Sequence, residues 1–296
     1  MGLETKIAQV GIRITSNEDG SAIVASLWMS LILALLGISL IVVSRDNWLE
    51  IRTEQNLDEA WLIAEGGLNT AIVNIARRRD GWIAREAVYE ETIKDRVIKI
   101  HIASPLGKLD LNGATSPLLA ELFIGLGYDS DLSAELADNI ADFRDEDDFV
   151  RLNGAERQEY MVEGLDGPDN KPFENIRDLE RVLKFAKSDV DCIAPFLTIY
   201  TGQTSIQPNF VQGKLRDILK LGEAPELIAL GTRRTSLAGQ VFEITASTSY
   251  SDHSDAVIRK VVRFSGRQEN PIWVHDVERT ISPNNYDVLE VDCDTE

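Results

Sequence analysis

From Ser21 to Ser44 the chain carries no charged residue and is rich in Leu, Ile, Val and Ala. A helix of about 24 such residues, rising 1.5 Å per residue, is long enough to cross the ~30 Å hydrocarbon core of a bilayer. Arg45, Asp46 and Trp48 follow, a polar and aromatic composition suited to a membrane interface. The run is longer than the core of a signal peptide, and no small-x-small cleavage site ends it. The pattern therefore predicts a membrane-spanning helix over 21–44. Helical spacing continues beyond it, with Leu57, Ala60, Trp61, Ala64, Leu68, Ala71, Ile72 and Ile75 on one face. Arg77, Arg78 and Arg79 suit the negative end of a helix dipole, and Gly81 can close the end. Residues 21 to about 79 thus read as one helix, roughly 85–90 Å long. Gly66-Gly67 leaves open a break into an anchor and a separate helix.

Other periodicities take over downstream. Residues 96–103 alternate apolar and polar and predict a strand, and Gln240–Tyr250 and Ala256–Phe264 predict a hairpin turning at Asp252-His253-Ser254. A small antiparallel sheet of these strands would bury its apolar face against the 57–75 stripe, hiding both surfaces at once. Between them the spacing is helical. Ser116-Pro117 predicts a helix start, with Leu118, Leu119, Leu122, Phe123 and Leu126 on its inner face. A second helix from about Asp131 would bury Leu132, Leu136, Ile140 and Phe143. Helix, Gly125-Leu126-Gly127 turn and helix together resemble a helix-hairpin-helix unit. Asn112, Leu118, Leu122 and Gly125 recur in register at Asn209, Leu215, Leu219 and Gly222, a faint internal repeat. The expected fold class is α+β: a long N-terminal helix on a small antiparallel sheet, with a large all-α domain inserted. The boundaries are 1–20 as a leader, 21–44 as the span and 45–79 as its amphipathic continuation. Segments 80–112 and 236–296 form the α/β core, and 113–235 the acidic helical insertion.

A formal charge of −19 sharpens this picture by exclusion. So acidic a surface repels phosphate backbones, which argues against nucleic acid even at the hairpin-like turn, where Asp129 and Asp131 follow. The three histidines, His101, His253 and His275, lack neighbours resembling a triad or a metal-hydrolase motif, so an enzyme is not expected. Cys192 and Cys293 are too far apart in sequence for a CxxC site; they are either one bridge or two unrelated buried thiols. Asp138, Asp142, Asp145, Glu146, Asp147 and Asp148 form the densest acidic cluster, with Glu156 close behind, and Asp252 and Asp255 a weaker second one. Converging carboxylates suit calcium, although the EF-hand spacing is absent and a solvated acidic face fits as well.

The leader and the anchor together resemble a type IV prepilin: a short polar segment ending in Gly20 directly before the apolar run. That resemblance implies prepilin peptidase cleavage between Gly20 and Ser21, leaving the helix attached. Ala25 would then be the fifth mature residue, where most pilin-like subunits carry Glu. A carboxylate inside hydrocarbon needs a partner, so its absence suits a subunit with no neighbour above it, or an ordinary lipid-facing position.

Taken in order, several segments resemble the general secretion pathway protein K family, the large minor pseudopilin of type II secretion. They are Ala64-Glu65-Gly66-Gly67-Leu68, Gly107-Lys108-Leu109-Asp110-Leu111-Asn112 and Ala141-Asp142-Phe143-Arg144-Asp145-Glu146-Asp147-Asp148. Asn153-Gly154-Ala155-Glu156 leads to Tyr160, and Pro172-Phe173-Glu174 and Ile199-Tyr200-Thr201-Gly202 follow. The resemblance implies a pilin-like core, a tip complex with I- and J-type minor pseudopilins in a fibre of other pseudopilins, and contact with secreted proteins. It implies one inner-membrane pass with the C-terminal domain in the periplasm. It also implies calcium (Ca2+) in the insertion, with ligands carried over by position to Asp145, Asp147, Asp148 and Glu156. The leader holds Lys6 and Arg13 against Glu4, Glu18 and Asp19, a weak positive-inside bias, so orientation rests on the resemblance. The alternative is a membrane-tethered calcium-binding adaptor outside any fibre.

Overall fold

The computed structural model describes residues 19–77, 82, 85–222, 236–251, 253–267 and 269–283. The chain divides into two compact units, Met1–Gln55 and Asn56–Glu296. Helix α1 (Asp19–Ala76) supplies the described part of the first unit and the opening element of the second. Within it, Ala22–Ser39 is long and apolar enough to cross a membrane, and none of it is buried. Gly20 and Ser21 lie in its first turn, and residues 1–18 lie outside the described residues, as do Arg78, Arg79 and Gly81.

The second unit is built on a five-stranded antiparallel sheet in the order β1-β2-β5-β6-β7. Its strands are β1 (Arg85–Ile93), β2 (Arg96–Ala103), β5 (Val241–Ser251), β6 (Ser254–Phe264) and β7 (Ile272–Pro283). Three of them, β2, β5 and β6, are those that alternation predicts; β1 and β7 are additions at the two edges. Ile98, Ile100 and Ile102 of β2, Phe242, Ile244 and Ala246 of β5, and Ile258, Val262 and Phe264 of β6 share one face. Against it α1 buries Ile63, Ala64, Leu68, Ala71, Ile72 and Ile75 in a single core. Leu57 and Trp61, expected on the same stripe, are only half-buried; Trp61 lies under the Arg279 guanidinium of β7. Gly66-Gly67 does not break α1. A Cβ on Gly67 would stand 2.8 Å from Ile98 Cγ2, so glycine here lets the helix backbone approach β2. Glu65 then accepts from Lys260 Nζ at 2.6 Å, and that bond, against a smaller desolvation effect, holds the carboxyl below its ordinary pKa.

Between β2 and β5 runs an insertion with a core of its own. It contains β3 (Leu109–Asp110), α2 (Ser116–Gly125), α3 (Ser130–Arg144), α4 (Arg157–Val162), α5 (Lys187–Ile193), β4 (Leu197–Thr198) and α6 (Lys214–Ile218). Leu119, Leu122 and Phe123 of α2 and Leu136, Ile140 and Phe143 of α3 pack in that core with Tyr160, Leu179, Val190 and Leu215. Two details differ from expectation. Thr115, not Ser116, occupies the cap position of α2, and it makes no side-chain capping bond. α3 begins at Ser130, capped by Asp129, which turns Leu132 outward to 37% exposure. The repeat has a packing role, since Ile218 of the second copy lies against Gly125 of the first.

The insertion leaves and returns at one place. β3 and β4 pair in parallel, Leu109 with Leu197 and Asp110 with Thr198. Asp110, 2% exposed, accepts at Oδ2 from Thr201 N (2.7 Å), Thr201 Oγ1 (2.8 Å) and Gly202 N (2.8 Å), and at Oδ1 from Asn112 N (2.9 Å). Asn112 joins Phe173 in both directions, donating to its carbonyl and accepting from its amide. On the sheet side, Lys108 Nζ reaches both oxygens of Glu243 at 2.9 Å. Burial opposes that carboxylate's charge, but Lys108 and Arg259 outweigh burial and lower its pKa. A cleft of ≈ 560 Å³ lies between this sheet face and the insertion, lined by Lys108, Glu243, Arg259, Tyr200 and Arg177 among others.

The close approach at Gly67 makes a prediction against helix propensity. Alanine favours a helix over glycine by about 1 kcal/mol, yet its methyl must displace Ile98. Gly67→Ala is therefore expected to destabilise the folded head by about 1–3 kcal/mol, read by chemical denaturation of the detergent-solubilised chain.

Candidate functional site

The acidic cluster sits where α3 runs out and the chain turns back toward α4. Asp138, Asp142 and Asp145 recur at helical spacing on the side of α3 that faces the returning loop. Asp142 is fully buried (0% exposed), and the Asp142 carboxylate occupies the space that a side chain at residue 154 would fill. Gly154 is thus required by a neighbouring carboxylate, which gives the Asn153-Gly154-Ala155-Glu156 segment a physical reason. Arg151 closes the loop. Its Nη1 bonds Asp142 Oδ1 and Asp145 Oδ2, and its amide donates to Asp142 Oδ2 at 3.1 Å. Asn153 reaches Asp138 Oδ2 at 3.3 Å from both its amide and its side chain.

The four carried-over ligand residues fare differently. Asp145 caps the end of α3; its Oδ1 is buried without a hydrogen-bond partner. Glu156, 5% exposed, has both carboxylate oxygens buried and unpartnered, while its backbone amide donates to Glu159 Oε2 at 3.0 Å. Asp147 and Asp148 are exposed. Asp147 Oδ1 accepts from the Phe149 amide at 2.9 Å, and Asp148 Oδ1 from Asn170 Nδ2 at 3.2 Å. Desolvation first, and then the charges of Asp142, Asp145, Asp148 and Asp147, push the Glu156 carboxyl up to about 7. Burial also raises Asp142, although its bonds to Arg151 oppose the rise.

Comparison with known proteins now bears on this segment. Residues 107–202 match the family model described as type II secretion system (T2SS), protein K. The chain carries a protein K domain. That domain begins at Gly107, beside the Lys108–Glu243 contact, and ends at Gly202, which donates to Asp110; it encloses the whole acidic loop. The fold around it is shared with a chain in the crystal structure of the GspK-GspI-GspJ complex from the enterotoxigenic Escherichia coli type 2 secretion system. The TM-score is 0.57 at 14% sequence identity, over 79% of this chain and 100% of that one. No curated protein matches the chain.

Within the protein K domain, hard oxygen donors are what a calcium ion takes, and orphaned buried carboxylate oxygens are costly unless a cation is their partner. Glu156 and Asp145 fit that ion in kind. Among the described residues, however, no three His, Cys, Asp or Glu side chains are gathered around a single point. Asp142 belongs to the acidic cluster named from the sequence but not to the carried-over ligand set, and Arg151 joins it in the structure. The recurrence 138, 142, 145 places these aspartates on one helix face, while nothing in the sequence marks Arg151 as the partner of Asp142. Cys192, on α5, is disulfide-bonded, while Cys293 and Asp252 lie outside the described residues. The histidines stand on separate elements: His101 in β2, His253 in the β5–β6 turn, and His275 in β7, accepting from Arg263 Nε at 3.1 Å.

The raised Glu156 pKa sets a pH dependence. Its folded value, about 7, exceeds the ordinary carboxyl value of 4.5, so the unfolded chain releases this proton first. The group therefore costs stability as pH rises from 4.5 to 7, and none of that cost is felt below 4.5. Without divalent ions, Glu156→Gln should flatten the fall in melting temperature across that window and melt higher than the parent at pH 7.5. The two should converge near pH 4.

Proposed function

We propose that the chain is a minor pseudopilin of a type II secretion system, placed at the tip of the periplasmic pseudopilus with I- and J-type partners. What carries this reading is one arrangement: a helix with a membrane-length apolar run packs its later stripe on an antiparallel sheet, and a protein K domain interrupts that sheet between β2 and β5. The chain that shares the fold is part of a GspK-GspI-GspJ complex, which supports the choice of partners. In this role the apolar part of α1 anchors the chain in the inner membrane, the head faces the periplasm, and peptidase cleavage at Gly20-Ser21 releases the stem for assembly. The insertion then blocks addition of a further subunit above. Ala25 leaves no carboxylate needing a neighbour. The role is structural rather than catalytic, and other pseudopilins, prepilin peptidase and secreted proteins are the contacts it entails.

The detergent-solubilised chain should be recovered in a stable ternary complex with I- and J-type pseudopilins at micromolar concentration, and three separate monomers would overturn the proposal. Mass measurement of its amino terminus distinguishes the tethered-adaptor alternative. Cleavage before Ser21 is expected in cells that hold the peptidase, and an intact Met1 there favours the adaptor.

Calcium at the acidic loop belongs to the same proposal, with Glu156 and Asp145 as the buried donors and Asp147 and Asp148 at the rim. Bound there, the ion supplies positive charge to carboxylates that few protein donors reach. A ligand held only by the folded state stabilises it, by about 2.7 kcal/mol at a hundredfold excess over Kd. Millimolar calcium at pH 7.5 should raise the parent's melting temperature and leave that of Glu156→Gln nearly unchanged.

A further inference from the structure

The last strand and the insertion face each other across the cleft of ≈ 560 Å³. Its β7 wall includes Glu278, Thr280 and Ser282, and its insertion wall includes Arg177, Asp191 and Ala194. Where the insertion leaves and returns, polar contacts join it to the sheet: Lys108 to Glu243, and Arg263 Nη2 to the Tyr200 carbonyl at 2.8 Å. β7 ends at Pro283, next to Ser282. Cys192 lies on α5, directly after Asp191. The end of the last strand and Cys192 thus stand on opposite sides of the same opening.

Cys192 is half-buried against the insertion's core and is disulfide-bonded. The chain holds two cysteines, so within one chain the bond has a single available partner, Cys293. Nine residues, 284–292, separate Pro283 from Cys293. At ~3.3–3.6 Å per residue they reach at most about 35 Å, which is enough to cross a cleft of this volume from one wall to the other. The loop that such a bond closes contains β4, α6, β5, β6 and β7, and so takes in parts of both the insertion and the sheet. A bond closing so long a loop removes much freedom from the unfolded chain.

We infer that Cys192 and Cys293 form an intrachain bridge that ties the end of the sheet to the insertion across this cleft. It adds a covalent tie to the polar contacts that already join the two cores. In forming it, the two thiols give up two electrons and two protons to a donor disulfide, which leaves as a dithiol. Such donors act in oxidising compartments. The supply of oxidant, and only that, rests on the periplasmic placement proposed above.

The test takes the detergent-solubilised full chain, purified without reductant. Unfolded in denaturant before reduction, it should take up no maleimide, and protease digestion should yield one reducible peptide pair holding Cys192 and Cys293. Maleimide on either cysteine, or a reducible dimer of the chain, overturns the bridge. The tie is read by amide hydrogen exchange on the folded chain before and after reduction with a phosphine. Exchange in α5 and in the last residues of β7 should rise about tenfold, while β2 and the buried stripe of α1 change less than about twofold. Cys192→Ser, Cys293→Ser and the double variant should match the reduced parent and one another, melting about 5–15 °C below the oxidised parent. Unchanged exchange on reduction, or an equal rise in β2, overturns the tie even where the bridge is present. If the serine variants do not fold, reduction of the already folded parent still supplies the deciding comparison. Recovery of the ternary complex is a separate measurement, so a failed tie leaves the pseudopilin reading standing.

Discussion

A buried carboxylate joins the two halves of this head. Leaving the sheet after β2 and returning before β5 requires the chain to bring distant points together, and closing so long a loop carries an entropic cost that grows slowly with its length. Asp110 meets that requirement locally. Four donors from residues 112, 201 and 202 converge on its oxygens, beside the parallel β3–β4 pair. With its ends held together, the insertion can build a core around Phe123, Phe143 and Tyr160 that is separate from the core beneath α1. The sheet in turn tolerates the interruption, because β2 and β5 still pair from Lys99 with Ser247 to Ala103 with Glu243.

This division explains why the acidic loop can be so poorly compensated. Its carboxylates lie on α3, an element already secured by Leu136, Ile140 and Phe143. Local repulsion there costs only part of what the helix gains from burial, so the fold tolerates the cluster. The net charge of −19 makes matters worse everywhere else on the surface. Arg151 is placed where carboxylates are concentrated, bridging Asp142 and Asp145.

The architecture was largely legible before any coordinates, and the failures have physical causes. β2, β5 and β6 alternate because one face of each lies under α1, and alternation is the signal that a half-buried strand leaves. β1 and β7 lie at the sheet edges, where much of either face meets water. In β7, Trp273, Val274, Val277 and Ile281 are all exposed, so its apolar residues record no single buried side. The Gly66-Gly67 pair suggested a break because sequence alone does not reveal a strand pressing on the helix at that point. In the acidic cluster, Asp142 is legible as a carboxylate at helical spacing, but its complete burial is not, because that depends on how the returning loop covers it. Arg151 could not be found by spacing, since its importance comes from the fold of the loop and not from its distance along the chain.

The same separation of duties extends to the stem. Along Ala22–Ser39 none of α1 is buried among the described residues, and no charged group interrupts the run. Such a surface is equally at home in lipid and among the apolar helices of neighbours, since hydrocarbon tails are about as apolar as leucine and give little preference between the two. On the proposed role, transfer from bilayer to fibre is therefore nearly neutral in hydrophobic terms and is decided by packing. A glutamate at residue 25 would add an electrostatic preference for a partner's amino terminus; Ala25 adds none. Direction must then come from the head, where shape, the acidic surface and the state of its loop can distinguish one neighbour from another. That assigns recognition to the second unit and mobility between environments to the first, and it makes the head's contacts, not the stem's, the place where loss of a single side chain should change assembly.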